Sequence, residues 1–332
     1  MTRFLISTVL FFVLSGEMIS QGCCSGGSGS PIAGGASQGV LQDRQAEVSV
    51  NYQYLSSNRF LVGERDTARL FDNLSSNYLY GRLAYGVTKD LTISVETGYF
   101  LNKTQIGLRK IDTINSSGFG DLIIFPRYDI LNRTTEAKRT EITLGMGYKI
   151  PIGTYNDSTV VYTNPTTGQK YYTTSPPTVQ PTTGSQDFIF YGFAFQEYTK
   201  SKFRIFANAL YIKKGWNPLG QKFGDYSSIG LFVGKTFFRK LGVVLQVKGE
   251  HISKMKYDKN VDMLALYNID VKSTGSRKLF FVPQLSFSHK LLTIYALAEL
   301  PLYQFVYGTQ VASQHQVTTG ISYRFFTVKP KE

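Results

Sequence analysis

The sequence predicts an all-β protein: a closed antiparallel transmembrane β-barrel of about 12 strands. Three observations predict it. Beyond residue 45 the chain breaks into segments of about 9–14 residues that alternate apolar and polar side chains, the spacing of a strand with two unlike faces. Tyr and Phe recur near segment ends, as in Tyr99-Phe100, Phe237-Phe238 and Phe325-Phe326, where aromatic girdles meet the membrane–water interface. Short turns also alternate with long connections along the chain, which is the arrangement of outer-membrane barrels.

The predicted strands are 46–57, 74–87, 91–101, 118–131, 139–151, 185–198, 202–213, 226–238, 241–252, 275–288, 291–302 and 313–326. In Glu141–Ile150 the residues Ile142, Leu144, Met146, Tyr148 and Ile150 share one face, against Glu141, Thr143, Gly145, Gly147 and Lys149. The first strand sets Val48, Val50, Tyr52 and Tyr54 against Glu47, Ser49, Asn51 and Gln53. The last sets Val317, Ile321, Tyr323 and Phe325 against Gln316, Thr318, Ser322 and Arg324. These segments are longer than the ~5–6 residues usual in soluble proteins and match the ~9–11 needed to cross a bilayer. Long connections fall at 58–73, 102–117, 152–184, 214–225, 253–274 and 303–312, with both ends of the barrel sequence on the short-turn side. Lipid offers no partner to a sheet edge, so the last strand must pair with the first.

Composition excludes several alternatives. A chain of 332 residues that is 42% hydrophobic and 14% aromatic is not disordered. A mean hydropathy of −0.12 and a single apolar run, at the N-terminus, exclude a bundle of membrane helices. The net charge of +13 is scattered, without the stripe or tail expected of a nucleic-acid binder. Residues 1–20 read as a signal peptide, with Arg3 before the apolar run Phe4–Leu14. Residues 21–45 read as a flexible Cys/Gly/Ser-rich segment carrying Cys23 and Cys24. The barrel takes 46–326, and 327–332 form a C-terminal tail.

With the apolar face assigned to lipid, the other face supplies the lumen. The charged candidates there are Glu47, Glu96, Asp121, Arg127, Glu141, Lys149, Arg204, Lys248, Glu250, Glu299 and Arg324. Acids and bases in similar number suggest either cross-strand pairing that holds a narrow barrel closed or a polar path. DFIFYGFAF and LIIFPRYDI are apolar on both faces, which puts Phe125, Tyr191 and Phe195 on the lumen wall and favours a hydrophobic or aromatic solute. Alternatively, these strands contact the N-terminal tail or an inward loop. The longest connection, 152–184, reads as an outward hairpin around NPTTG that either folds inward as a constriction or stays outside as a cover. Enzyme motifs are lacking: His251, His289 and His315 have no triad-like partners, and no metal-binding or cofactor-binding pattern is present.

Three blocks, GFGDLIIFPRYDI (118–130), GYKIPIGTY (147–155) and GSQDFIFYGFAF (184–195), resemble successive blocks of a bacterial family. It is the outer-membrane transporter family named after the meta-pathway of phenol degradation. The Cys-Cys-Ser-Gly-Gly start departs from the family's general pattern and looks like a feature of Bacteroidota relatives. The resemblance covers about the middle third of the chain and implies passive uptake of small solutes, aromatic ones included. The partners expected are outer-membrane lipid, lipopolysaccharide, a small-molecule solute and the barrel assembly machinery, the last suggested by an aromatic near the end of the final strand. A structural or adhesion barrel with outer loops that bind a surface partner is the alternative.

Overall fold

The computed structural model describes residues 39–328, except 111–112, 239 and 268. The expected signal peptide, most of the 21–45 segment with Cys23 and Cys24, and the end of the 327–332 tail lie outside the described residues.

Twelve long strands form one sheet. They are β1 (Gln45–Ser57), β2 (Asn73–Gly86), β3 (Leu91–Ile106), β4 (Ile114–Thr134), β5 (Lys138–Pro151) and β6 (Asp187–Tyr198), then β7 (Phe203–Lys213), β8 (Tyr226–Phe237), β9 (Leu241–Ile252), β10 (Ser276–His289), β11 (Leu292–Val311) and β12 (His315–Phe326). Each pairs antiparallel with the next. β1 pairs with β12 from Gln45↔Phe326 to Ser56↔His315 and closes the barrel. Closure leaves no open edge along the wall.

Three strands outrun the predicted spans on the long-connection side, whereas β6 and β12 begin two residues later than predicted. β3 continues to Ile106, β4 begins at Ile114 and β11 continues to Val311. The ladder persists there through pairs such as Leu74↔Gln105 and Gln105↔Ile114. Outside a membrane a ladder needs no apolar face, so NKTQ and INSS lose the alternation without leaving the sheet. Phe60–Gly63 and Arg65–Thr67 form a small hairpin added to the far end of β11. In this hairpin Arg59 donates to Asp66 at 2.5 Å and holds its carboxyl below the usual range. Ser158–Thr163 and Lys170–Thr174 form a second hairpin, turned by Asn164, whose side chain accepts from the N–H groups of Thr166 and Thr167.

The outer surface is apolar. Leu83, Met146, Leu231 and Leu285 are 56–62% exposed and belong to a belt shared by all the strands. A soluble protein does not carry so continuous an apolar surface. Exposed aromatics mark two levels of the wall. Tyr85, Tyr128, Tyr198, Phe203, Phe237 and Tyr323 stand toward the short turns, and Tyr54, Tyr99, Phe119, Phe188 and Tyr211 toward the long connections. Phe100, grouped with Tyr99 on sequence, does not belong to this belt. Neighbouring strand residues face opposite ways, and Phe100 turns inward onto Tyr78 with ring centroids 4.3 Å apart.

Residues 39–44 tuck into the short-turn end. The Leu41 N–H donates to Thr92 Oγ1 at 2.8 Å, and the Arg44 N–H donates to the Gly86 carbonyl at 2.8 Å. A Cβ on Gly86 would lie 2.0 Å from the Gln42 carbonyl oxygen. Gly86→Val is therefore expected to dislodge this stretch and speed tryptic cleavage after Arg44, while heat-modifiable gel mobility shows the barrel still folded.

Candidate functional site

The period of two turns every second residue inward, so charged groups on different strands meet inside the wall. At the short-turn end, buried Glu47 on β1 accepts hydrogen bonds from Arg82 on β2 and Arg324 on β12. Glu141 on β5 takes Arg139 at 2.8 Å and the Val40 N–H at 3.3 Å. Arg127 on β4 is buried, with its guanidinium 5.8 Å from the Phe125 ring. Glu96 accepts from the Tyr80 hydroxyl and, at 2.8 Å, from Ser94. On the β9–β11 side, Lys248 Nζ lies 2.6 Å from Glu299 and 3.8 Å from Glu250, over the Phe280 ring. Toward the long connections, Lys149 bridges Asp121 and Asp187 at 2.9 Å each, and Lys214 reaches Asp187 at 3.0 Å. Arg204 on β7 donates to Thr236 at 2.7 Å.

All the charged positions singled out on sequence therefore share the inner face, but they divide into separate networks at different levels. Arg82, Arg139, Glu197, Asp187 and Lys214 were not among them. The pattern NYLYGRLAYG, which puts Tyr78, Tyr80, Arg82 and Ala84 on one face, was the signal for Arg82.

Phe125, Tyr191 and Phe195 also face inward, as part of a larger apolar cluster. It includes Ile189, Phe193, Phe206, Leu210, Phe232 and Val244 on β6 to β9. Phe206 and Phe232 stack at 4.3 Å and 13°, and Phe125 meets Tyr191 edge-on at 5.7 Å. Phe125 fits because β5 carries glycine opposite it: a Cβ on Gly147 would come within 2.8 Å of its ring. Across the barrel, β1 and β12 present buried Ser49, Asn51, Gln53, Thr318 and Ser322 instead. One wall is apolar and aromatic; the facing wall is polar.

The segment 175–185 of the longest connection turns inward across the long-connection mouth. Lys103 donates to the Gln180 carbonyl at 2.7 Å, Thr178 to Gln105 at 3.1 Å, Ser116 to the Val179 carbonyl and Thr182 to Asp121. Val179, fully buried, packs with Phe60, Phe71, Leu74 and Val311. The segment thus connects the β3–β4 wall to the hairpin side of β11. Phe223, Met255, Met263 and Ile269 form a second cap from the connections after β7 and β9, and Met263–Tyr267 there is a short helix. Among the described residues no cluster of three or more His, Cys, Asp or Glu side chains is placed to hold a metal ion.

An apolar outer belt, closure and a polar-and-aromatic interior define a transmembrane β-barrel of the outer-membrane type. The fold is similar to that of an outer membrane channel from Pseudomonas putida F1, with 12% identity over 88% of this chain and 99% of that one and a TM-score of 0.67. The β domain of the Bordetella autotransporter BrkA (9% identity, 85% and 100% covered, TM-score 0.47) and the KdgM porin (8%, 83% and 99%, 0.42) overlap less well. No family model and no curated protein matches the sequence.

Proposed function

We propose that the protein is an outer-membrane channel, not an enzyme, that passively admits small solutes, hydrophobic and aromatic ones included. The observation that carries this reading is the inward aromatic wall of β6 to β9. In a barrel whose outer face already meets lipid, this packed cluster is a second apolar region, on the inner face, against which a hydrophobic solute in the lumen would bind as the packing yields. The charged and aromatic positions named above, from Glu47 to Arg324, line the path. The short turns and both termini lie on the periplasmic side, and the long connections face lipopolysaccharide outside. The last strand, ending at Phe326, is what the assembly machinery reads. Membership of the phenol meta-pathway transporter family is part of the same proposal, supported by the sequence blocks at 118–130, 147–155 and 184–195 and by the likeness to the Pseudomonas channel.

Segment 175–185 is the gate in this reading. Its neutral hydrogen bonds contribute about 0.5–1.5 kcal/mol each and those from Lys103 and to Asp121 about 1.5–3 kcal/mol each, so each contact holding the segment is individually breakable. Replacing 175–185 with a short Gly-Ser link is expected to raise conductance severalfold in planar bilayers; an unchanged conductance would contradict the gate. The adhesion reading draws on Tyr162, Tyr171 and Tyr172, exposed on the outward hairpin. Deleting 158–174 tests it: lost binding to a cell surface with unchanged flux would favour adhesion.

A further inference from the structure

At the short-turn end the inner face encloses a cavity of about 260 Å³. Five guanidinium groups line it: Arg82, Arg127, Arg139, Arg204 and Arg324. Against them stand three carboxylates, Glu47, Glu141 and Glu197. The cavity therefore carries a surplus of two positive charges. Two of the carboxylates are already engaged, Glu47 by Arg82 and Arg324, and Glu141 by Arg139. Among the described residues Arg204 is set apart from Arg82, Arg139 and Arg324, each of which holds a carboxylate, by making no such pair. Glu197 stands across the ladder from it, yet among those residues the buried Nε of Arg204 has no hydrogen-bond partner. A buried guanidinium N–H left unpaired costs more than an ordinary missing contact, so the site favours a ligand that supplies an acceptor.

The other part of the lining is aromatic. Phe193 and Phe195 border the same cavity, stacked at 6.1 Å and 20°. The Arg139 guanidinium lies 5.9 Å from the Phe195 ring. Further along the same face, the Tyr191 hydroxyl is also buried without a partner, its ring 6.5 Å from that of Phe193. A flat apolar shelf beside an underused cation complements a ring that bears an anionic group. The volume falls below the ~300–1,000 Å³ of pockets for drug-sized ligands, which limits the occupant to about one ring.

We propose that this cavity binds small aromatic monoanions, carboxylates or sulfonates on a single ring, with the anion on Arg204 and the ring on Phe193 and Phe195. A role in transport rests on the channel reading above; the binding itself does not.

The test uses the full chain in lipid nanodiscs, titrated by calorimetry with three probes. Benzenesulfonate has both ring and charge, benzenesulfonamide has the ring without the charge, and methanesulfonate has the charge without the ring. Benzenesulfonate is expected to bind at least about tenfold tighter than either of the others, the scale of one charge-assisted hydrogen bond. Arg204→Gln should abolish the preference over the sulfonamide. Equal affinity for benzenesulfonate and benzenesulfonamide in the unmodified protein overturns the proposal, and so does a preference that survives in folded Arg204→Gln. Because binding is read at equilibrium, selective binding without flux in liposomes keeps the site and removes the channel reading. Flux without selective binding does the reverse.

Discussion

Leu231→Arg is expected to destabilise the folded barrel in lipid vesicles by about 2–4 kcal/mol, the cost of an arginine on the lipid face near the bilayer midplane. Leu231 sits mid-strand on β8 with 62% of its surface exposed. On a water-facing surface the same substitution stays within about 0.5 kcal/mol. Urea titration in vesicles measures the difference, and a neutral result would mean that this face does not meet lipid. Leu83→Arg on β2 and Leu285→Arg on β10 should cost less, because Leu83 stands two residues from Tyr85 and Leu285 two from Phe287, beside the short-turn aromatic level, and the penalty falls toward the interface.

The second large effect lies inside. Glu47→Ala is expected to cost about 3–5 kcal/mol, because removing one member of a buried ion pair leaves its partners uncompensated. The Glu47 and Arg82 side chains are only 2% and 9% exposed, and Glu47 also holds Arg324 across the β1–β12 seam that closes the barrel. Arg59 and Asp66 provide the contrast: their side chains are 45% and 67% exposed, and Asp66→Ala should change stability by about 0–1 kcal/mol. If both substitutions had the same small effect in urea titrations, the Glu47 cluster would not be holding the seam.

The barrel was legible in the sequence because the side-chain period of a strand is two, and an apolar face and a polar face cannot be confused over a dozen residues. The same binary choice put Glu47, Lys149 and Arg324 on the inner face. It carried no information about partners. That Glu47 meets Arg82 depends on the register Glu47↔Ala84 between two strands, and that Lys149 meets Asp187 depends on where a chain returns after a long connection. The aromatic wall was half legible. DFIFYGFAF is apolar on both faces and stood out, whereas Phe206 and Phe232 lie in segments whose inner residues include Arg204, Ser228 and Thr236 and whose character is mixed. The inward segment 175–185 left no signal of its own. SPPTVQPTTGS has no periodicity, and its position is set by Lys103, Gln105, Ser116 and Asp121, distant in sequence.

A lumen that is a path for small aromatic solutes, as proposed, must pass such a solute across a bilayer. Influx of phenylalanine, a zwitterion that crosses lipid poorly by itself, into liposomes holding the full chain tests it most directly. The expected result is influx above that of protein-free liposomes, with the larger raffinose excluded. No influx above protein-free liposomes, in a preparation whose gel mobility shows folded barrel, would contradict it.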